Sequence, residues 1–136
     1  MSKVAAAVII NEDLKVLLQL RDSKKNLRSS GLWSLPGGQI EKFESSETAV
    51  KREVFEETNI FNWSPKFLMT LEDSFEPGPA ITIDIYGDQI FPPYSIIRGE
   101  GQNLKFFDKK ELVNLSMNKY LGLVIDYAFL ALDRNN

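Results

Sequence analysis

The segment Ser46–Thr58, SETAVKREVFEET, predicts a helix whose charge pattern demands a partner. Ser45 is placed to cap its start, Glu47 lies in the first turn, and Asn59 follows the end, where a left-handed residue closes a helix. With Ser46 at zero on a helical wheel, Glu56 falls near about 280°, Glu53 near about 340° and Glu57 near about 20°. Three carboxylates therefore share one face. Glu53 and Glu57 form a repulsive i, i+4 pair, and Glu56 and Glu57 lie in the last turn, where the helix dipole disfavours anions. Val50 and Val54, near about 40° and 80°, set the buried stripe beside this face, which half-buries the carboxylates. Ala49 falls between them and leaves room above the helix. A solubilising face would lie opposite the apolar stripe and alternate in sign, as Glu47 and Lys51 do. A bound cation would relieve all of these penalties together. Arg52 flanks the acidic arc, where it can form a bidentate pair with Glu44 or Glu56.

Composition narrows the cation. The chain has 136 residues with neither Cys nor His, so thiolate and imidazole chemistry are excluded. A metal here must be a hard ion held by oxygen, Mg²⁺ or Mn²⁺, with waters and substrate phosphates completing its shell. The net charge of −3 comes from 16 basic and 19 acidic residues without a basic stripe, so no stable nucleic-acid partner is expected. Gly37–Ile60 alone carries six acidic and three basic residues, so the whole net charge resides there.

Residues 1–136 show no repeat, linker or low-complexity tract and read as a single mixed α/β domain. Val4–Ile10 and Lys15–Leu20 are apolar runs around a short turn, which predicts two strands. The first run is better matched to a strand than to the core of a signal peptide. A polar loop, Arg21–Gly31, carries Arg21, Lys24, Lys25 and Arg28 against Asp22, either as a solvated loop or as cations that meet phosphate. Trp33–Leu35 predicts a short third strand, and Pro36-Gly37-Gly38 a turn with close backbone approach. Strands are expected at Phe67–Leu71, Ile81–Ile85 and Leu104–Phe107, with Pro77-Gly78-Pro79 as a turn. A final helix runs from about Lys119 to Asp133. The apolar stretch Tyr120–Leu132 contains Asp126 and is shorter than the ~20 residues a bilayer requires, so no membrane association and a cytoplasmic location are expected. That helix suits a core element or a homodimer surface equally.

Gly37–Ile60 reads GGQIEKFESSETAVKREVFEETNI. It resembles the signature of the Nudix hydrolases, G-x5-E-x7-R-E-U-x-E-E-x-G-U with U aliphatic. Gly38, Glu44, Arg52, Glu53, Val54, Glu56, Glu57 and Ile60 fall in register. Asn59 replaces the expected Gly, and Phe43 stands where Gly often precedes the first Glu. The resemblance implies an α/β/α sandwich around a mixed β-sheet and hydrolysis of a nucleoside diphosphate linked to another group. It implies metal ligation by Glu53, Glu56 and Glu57 with the Gly38 carbonyl, and an orienting network of Arg52 and Glu44.

The chain looks most like the mutator-type enzymes that cleave nucleoside triphosphates, including oxidised purine nucleotides. In those an acidic residue in a segment similar to Gly99-Glu100-Gly101-Gln102 reaches the metal site, matched by Glu100, and an Asn just before the last helix contacts the purine, matched by Asn118. Glu100 also suits a solvated loop, and Asn118 an N-cap of the last helix. Arg21 and Arg28 are candidates for the distal phosphates. With no His, the general base is one of Glu53, Glu57 or Glu100. Trp33, Phe75, Phe91 and Tyr94 are candidate stacking partners for a base, although strand aromatics more often serve the core. Pro77 and Pro79 leave nucleotide sugars and ADP-ribose open as substrates, and a nucleotide-binding module without turnover is the non-enzymatic alternative.

Overall fold

The computed structural model describes residues 2–21, 31–73, 79–97, 102–117 and 120–133, with Arg21 and Gln102 described by their backbone. Among the described residues the strands are β1 (Ser2–Ile10), β2 (Val16–Arg21), β3 (Trp33–Ser34), β4 (Gly37–Gln39), β5 (Lys66–Asp73), β6 (Ile81–Gln89) and β7 (Gln102–Phe107). The helices are α1 (Ser46–Thr58), α2 (Lys109–Leu112) and α3 (Leu121–Ala131).

The strands form one mixed sheet in the order β3-β2-β1-β6-β5, with β4 also on β1 and β7 also on β2. β1 runs parallel to β6 along its whole length, from Ser2 beside Ile81 to Ile10 beside Gln89. A central parallel strand covered on both faces reads as a continuous apolar run rather than an alternation, and Val4–Ile10 is such a run. Alternate residues still serve opposite cores. Ala6, Val8, Ile10, Val16, Leu18, Ile83, Ile85 and Phe107 pack with Leu112 of α2 and with Leu121, Val124, Ile125 and Ala128 of α3. Ala5, Ala7, Ile9, Leu17 and Tyr86 pack with Ala49, Val50 and Val54 of α1 and with Ile60, Trp63 and Ile90. The result is helix, sheet, helix, as expected.

Three details differ from the sequence reading. Gly37–Gln39 is a strand rather than part of a turn, because it pairs with β1 from Val4–Gln39 to Ala6–Gly37. Hence α1 follows four strands rather than three. The short α2 was not foreseen, although Asp108 and Glu111 form a capping box: Asp108 Oδ1 accepts from the Glu111 amide at 2.9 Å, and Glu111 Oε1 from the Asp108 amide at 3.1 Å. The N-cap of α3 falls on Tyr120, with no side-chain cap bond. Pro77 and Gly78 of the expected turn lie outside the described residues. No helix among the described residues is long and apolar enough to cross a membrane.

Candidate active site

The site forms where the sheet divides. β1 and β2 are paired at Ile10 and Val16, and beyond that point their facing edges take up other partners. β2 pairs with β3 at Gln19–Ser34 and Leu20–Trp33, while β1 pairs with β4. The Pro36 carbonyl accepts from Ala7 N at 3.0 Å, which fastens the link between β3 and β4 to β1. This opening lies over α1.

Local sequence fixes α1. Ser45 is extended and its Oγ accepts from the Thr48 amide at 3.1 Å. Asn59 adopts φ 71° and its amide donates to the Phe55 carbonyl at 2.9 Å, so Asn supplies the left-handed closure that the family pattern assigns to Gly. The buried residues of α1 are Ala49, Val50, Val54 and Thr58. On the wheel these enclose the directions of Glu53 and Glu57, so both carboxylates point toward the sheet from within the buried arc. Ala49 does not leave room above the helix, as the sequence suggested; it is fully buried beneath the sheet.

Two glycines make space for these carboxylates. A Cβ on Gly38 would lie 2.4–2.7 Å from the carboxyl atoms of Glu53. One on Gly37 would lie 2.3 Å from the Ala5 carbonyl oxygen, so β4 can approach β1 only with glycine there. The Gly37 amide donates to Glu57 Oε1 at 2.8 Å. The same oxygen accepts from Gln19 Nε2 at 3.3 Å.

Arg52 organises the other carboxylates. Its Nε and Nη2 hold Glu44 Oε2 and Oε1 at 2.8 and 3.0 Å, which selects Glu44 over Glu56 as the bidentate partner. Nη2 also donates to the Gln39 carbonyl at 3.1 Å, and Nη1 to Glu53 Oε1 at 2.8 Å and Glu56 Oε1 at 3.1 Å. The hydrogen bonds from Arg52, followed by the bond to the Glu41 backbone, hold the Glu44 carboxyl down at about 2. Its bond to Glu44 pushes the Arg52 guanidinium up in turn, so the pair is ionised at any ordinary pH. Glu44 is set for this role by a tight turn, in which its amide donates to the Glu41 carbonyl at 3.1 Å and its Oε1 accepts from the Glu41 amide at 2.9 Å.

Glu44, Arg52, Glu53, Glu56, Glu57 and Gly38 are thus brought together. Among the described residues no three carboxylates already converge tightly enough to hold a metal ion by themselves. The donors nevertheless fit a hard cation. They are all oxygen, and Gly38 keeps open against Glu53 the space that a Cβ would fill. Arg21 ends β2 opposite Gln102, while Arg28, Glu100 and Asn118 lie outside the described residues. Trp33 is partly buried and packs against the core, edge-to-face with Phe107 at 4.8 Å. Tyr94 is tilted against Phe106 and donates to Glu12 Oε1 at 2.6 Å; burial, then this carboxylate, push its phenol up to about 12. Phe91 is half-exposed and Phe75 lies outside the described residues. Sequence reasoning passed over Gln19, whose signal was a polar residue on the same inward face as Leu17.

The family model for the NUDIX domain matches residues 1–118. The chain belongs to the Nudix family. A MutT-like protein of Streptomyces ambofaciens is 44% identical over 55 residues, which is 40% of this chain and 32% of that protein, so the chain matches about a third of this curated relative's length. The MutT protein of Methanosarcina mazei Go1 superposes with a TM-score of 0.76 at 24% identity, over 99% of this chain and 94% of its own. An Ap4A hydrolase of Caenorhabditis elegans superposes with a TM-score of 0.78 at 22% identity, over 96% and 98%. At these identities the two structures speak for the Nudix fold.

Proposed function

We propose that the chain is a pyrophosphohydrolase acting on a nucleoside diphosphate joined to a further group, most aptly a nucleoside triphosphate or an oxidised purine nucleotide. The observation that carries this reading is that Glu53 and Glu56 share the Arg52 guanidinium, Glu53 lies against Gly38, and Glu57 is held by the Gly37 amide. In this reading Glu53, Glu56, Glu57, the Gly38 carbonyl and Glu100 would hold Mg²⁺ or Mn²⁺. When bound, such an ion supplies positive charge against the diphosphate and acidity to water.

The protein's own groups do the rest. Arg52 neutralises part of the acidic face and keeps Glu53 and Glu56 from swinging apart. Glu44 locks Arg52 and stays ionised throughout the neutral range. A water oxygen attacks phosphorus, the anhydride P–O bond breaks, and the water's proton passes to Glu53, Glu57 or Glu100 as general base. Arg21 and Arg28 are assigned to the distal phosphates, and Asn118 to the base.

The deciding experiment measures phosphate or pyrophosphate release from nucleoside triphosphates, oxidised triphosphates, nucleotide sugars, ADP-ribose and dinucleoside polyphosphates, with Mg²⁺ and with Mn²⁺. Glu57→Gln should fold normally and lose at least about 100-fold in turnover. Full turnover in that variant would remove the assignment of the site, and nucleotide binding without turnover across the panel would favour a binding module.

A further inference from the structure

Gln19 is the sole polar residue among the largest fully buried side chains of the described chain, at 1% exposure. It lies mid-strand on β2, on the inward face shared with Leu17. A buried amide there costs free energy unless its donors are satisfied, and an apolar residue would complete the core without that cost. Gln19 Nε2 donates to two described acceptors, the Leu35 carbonyl at 3.4 Å and Glu57 Oε1 at 3.3 Å. These are long bonds, so their value is directional more than energetic. Their arrangement is nevertheless specific. The Gly37 amide, from β4, fixes where Oε1 of Glu57 lies. Both donors meet this one oxygen, and hydrogen bonds to an sp² oxygen prefer its in-plane lone pairs, so a second donor from a different strand favours one orientation of the carboxylate plane.

We propose that Gln19 is a positioning residue that sets the orientation of the Glu57 carboxylate toward the cation. This rests on the reading of Glu57 as a metal ligand. Outer-shell partners of metal ligands typically contribute 10–100-fold to metal affinity. The alternative, a core amide that merely satisfies Leu35, has no effect on metal binding.

The test titrates Mn²⁺ alone into the parent chain, Gln19→Met and Glu57→Gln by calorimetry at one pH, with the melting temperature of each metal-free protein recorded. Gln19→Met removes both donors at nearly constant volume. It should bind Mn²⁺ about tenfold more weakly while its metal-free melting temperature stays within about 3 °C of the parent. Gln19→Asn keeps the amide but withdraws it by one methylene, so it should show the same loss and replaces Gln19→Met if that variant does not fold. Parent-like Mn²⁺ affinity in a folded Gln19 variant, with affinity lost in Glu57→Gln, overturns the role of Gln19 alone. Parent-like affinity in Glu57→Gln overturns the ligand assignment and the inference with it.

Discussion

Phe43 adopts φ 68° and is 98% exposed, so the residue bears the strain of a left-handed backbone and gains almost no burial in return. Its described contact is with Lys42, whose Nζ lies 5.3 Å from the ring centroid. Glycine would relieve about 1–2 kcal/mol of backbone strain and give back about 0.5–1 kcal/mol through unfolded-state entropy. Phe43→Gly should therefore stabilise by about 0.5–1 kcal/mol, read as a higher urea midpoint at unchanged slope. Glu44, the next residue, carries a pH signature. Its carboxyl is held at about 2 against an ordinary 4.5, so the stabilisation from Arg52 is complete above 4.5 and is lost as pH falls through about 2. The melting temperature of the parent should exceed that of Glu44→Gln near neutrality, and the gap should close toward pH 2. The spacing of Glu44 and Arg52 made them legible as a pair, but Glu56 was an equal candidate until the turn at Glu41–Glu44 aimed Glu44 at the guanidinium.

At the scale of elements, legibility followed how local the cause was. The bounds of α1, its Ser45 cap and its Asn59 closure depend on neighbours in sequence, and they were read from sequence. β4 could not be. Its Gly-Gly-Gln has no strand propensity, and it is a strand because β1 offers a vacant edge with small residues Ala5 and Ala6 opposite it. The same cause hid Gln19, since its meaning depends on an α1 carboxylate 38 residues away. The two glycines of β4 should also separate in their effects. Gly37→Ala drives a methyl into the Ala5 backbone and should destabilise the fold by about 2–4 kcal/mol in denaturant titrations. For Gly38→Ala the three atoms nearest the new methyl are the carboxyl atoms of Glu53, the end of a flexible side chain. This substitution should change stability by less than about 1 kcal/mol while lowering turnover at least about tenfold.

Across the molecule, β1 is the strand around which both cores are built. It has α1 on one face, α3 on the other and β6 along one edge, and its opposite edge is shared between β4 and β2. Hydrogen exchange should be slowest in β1 and β6, and faster by about two orders of magnitude or more in β3 and β4, which contribute two and three residues to the sheet. An inversion of that order would show that the short strands, not β1, anchor the sheet. The two described donors to Glu57 stand on opposite prongs of a fork, Gln19 on β2 and Gly37 on β4. Any widening of the fork draws both away from one carboxylate, so warming should silence the site reversibly before the hinge of the fork, at Ile10 and Val16, gives way.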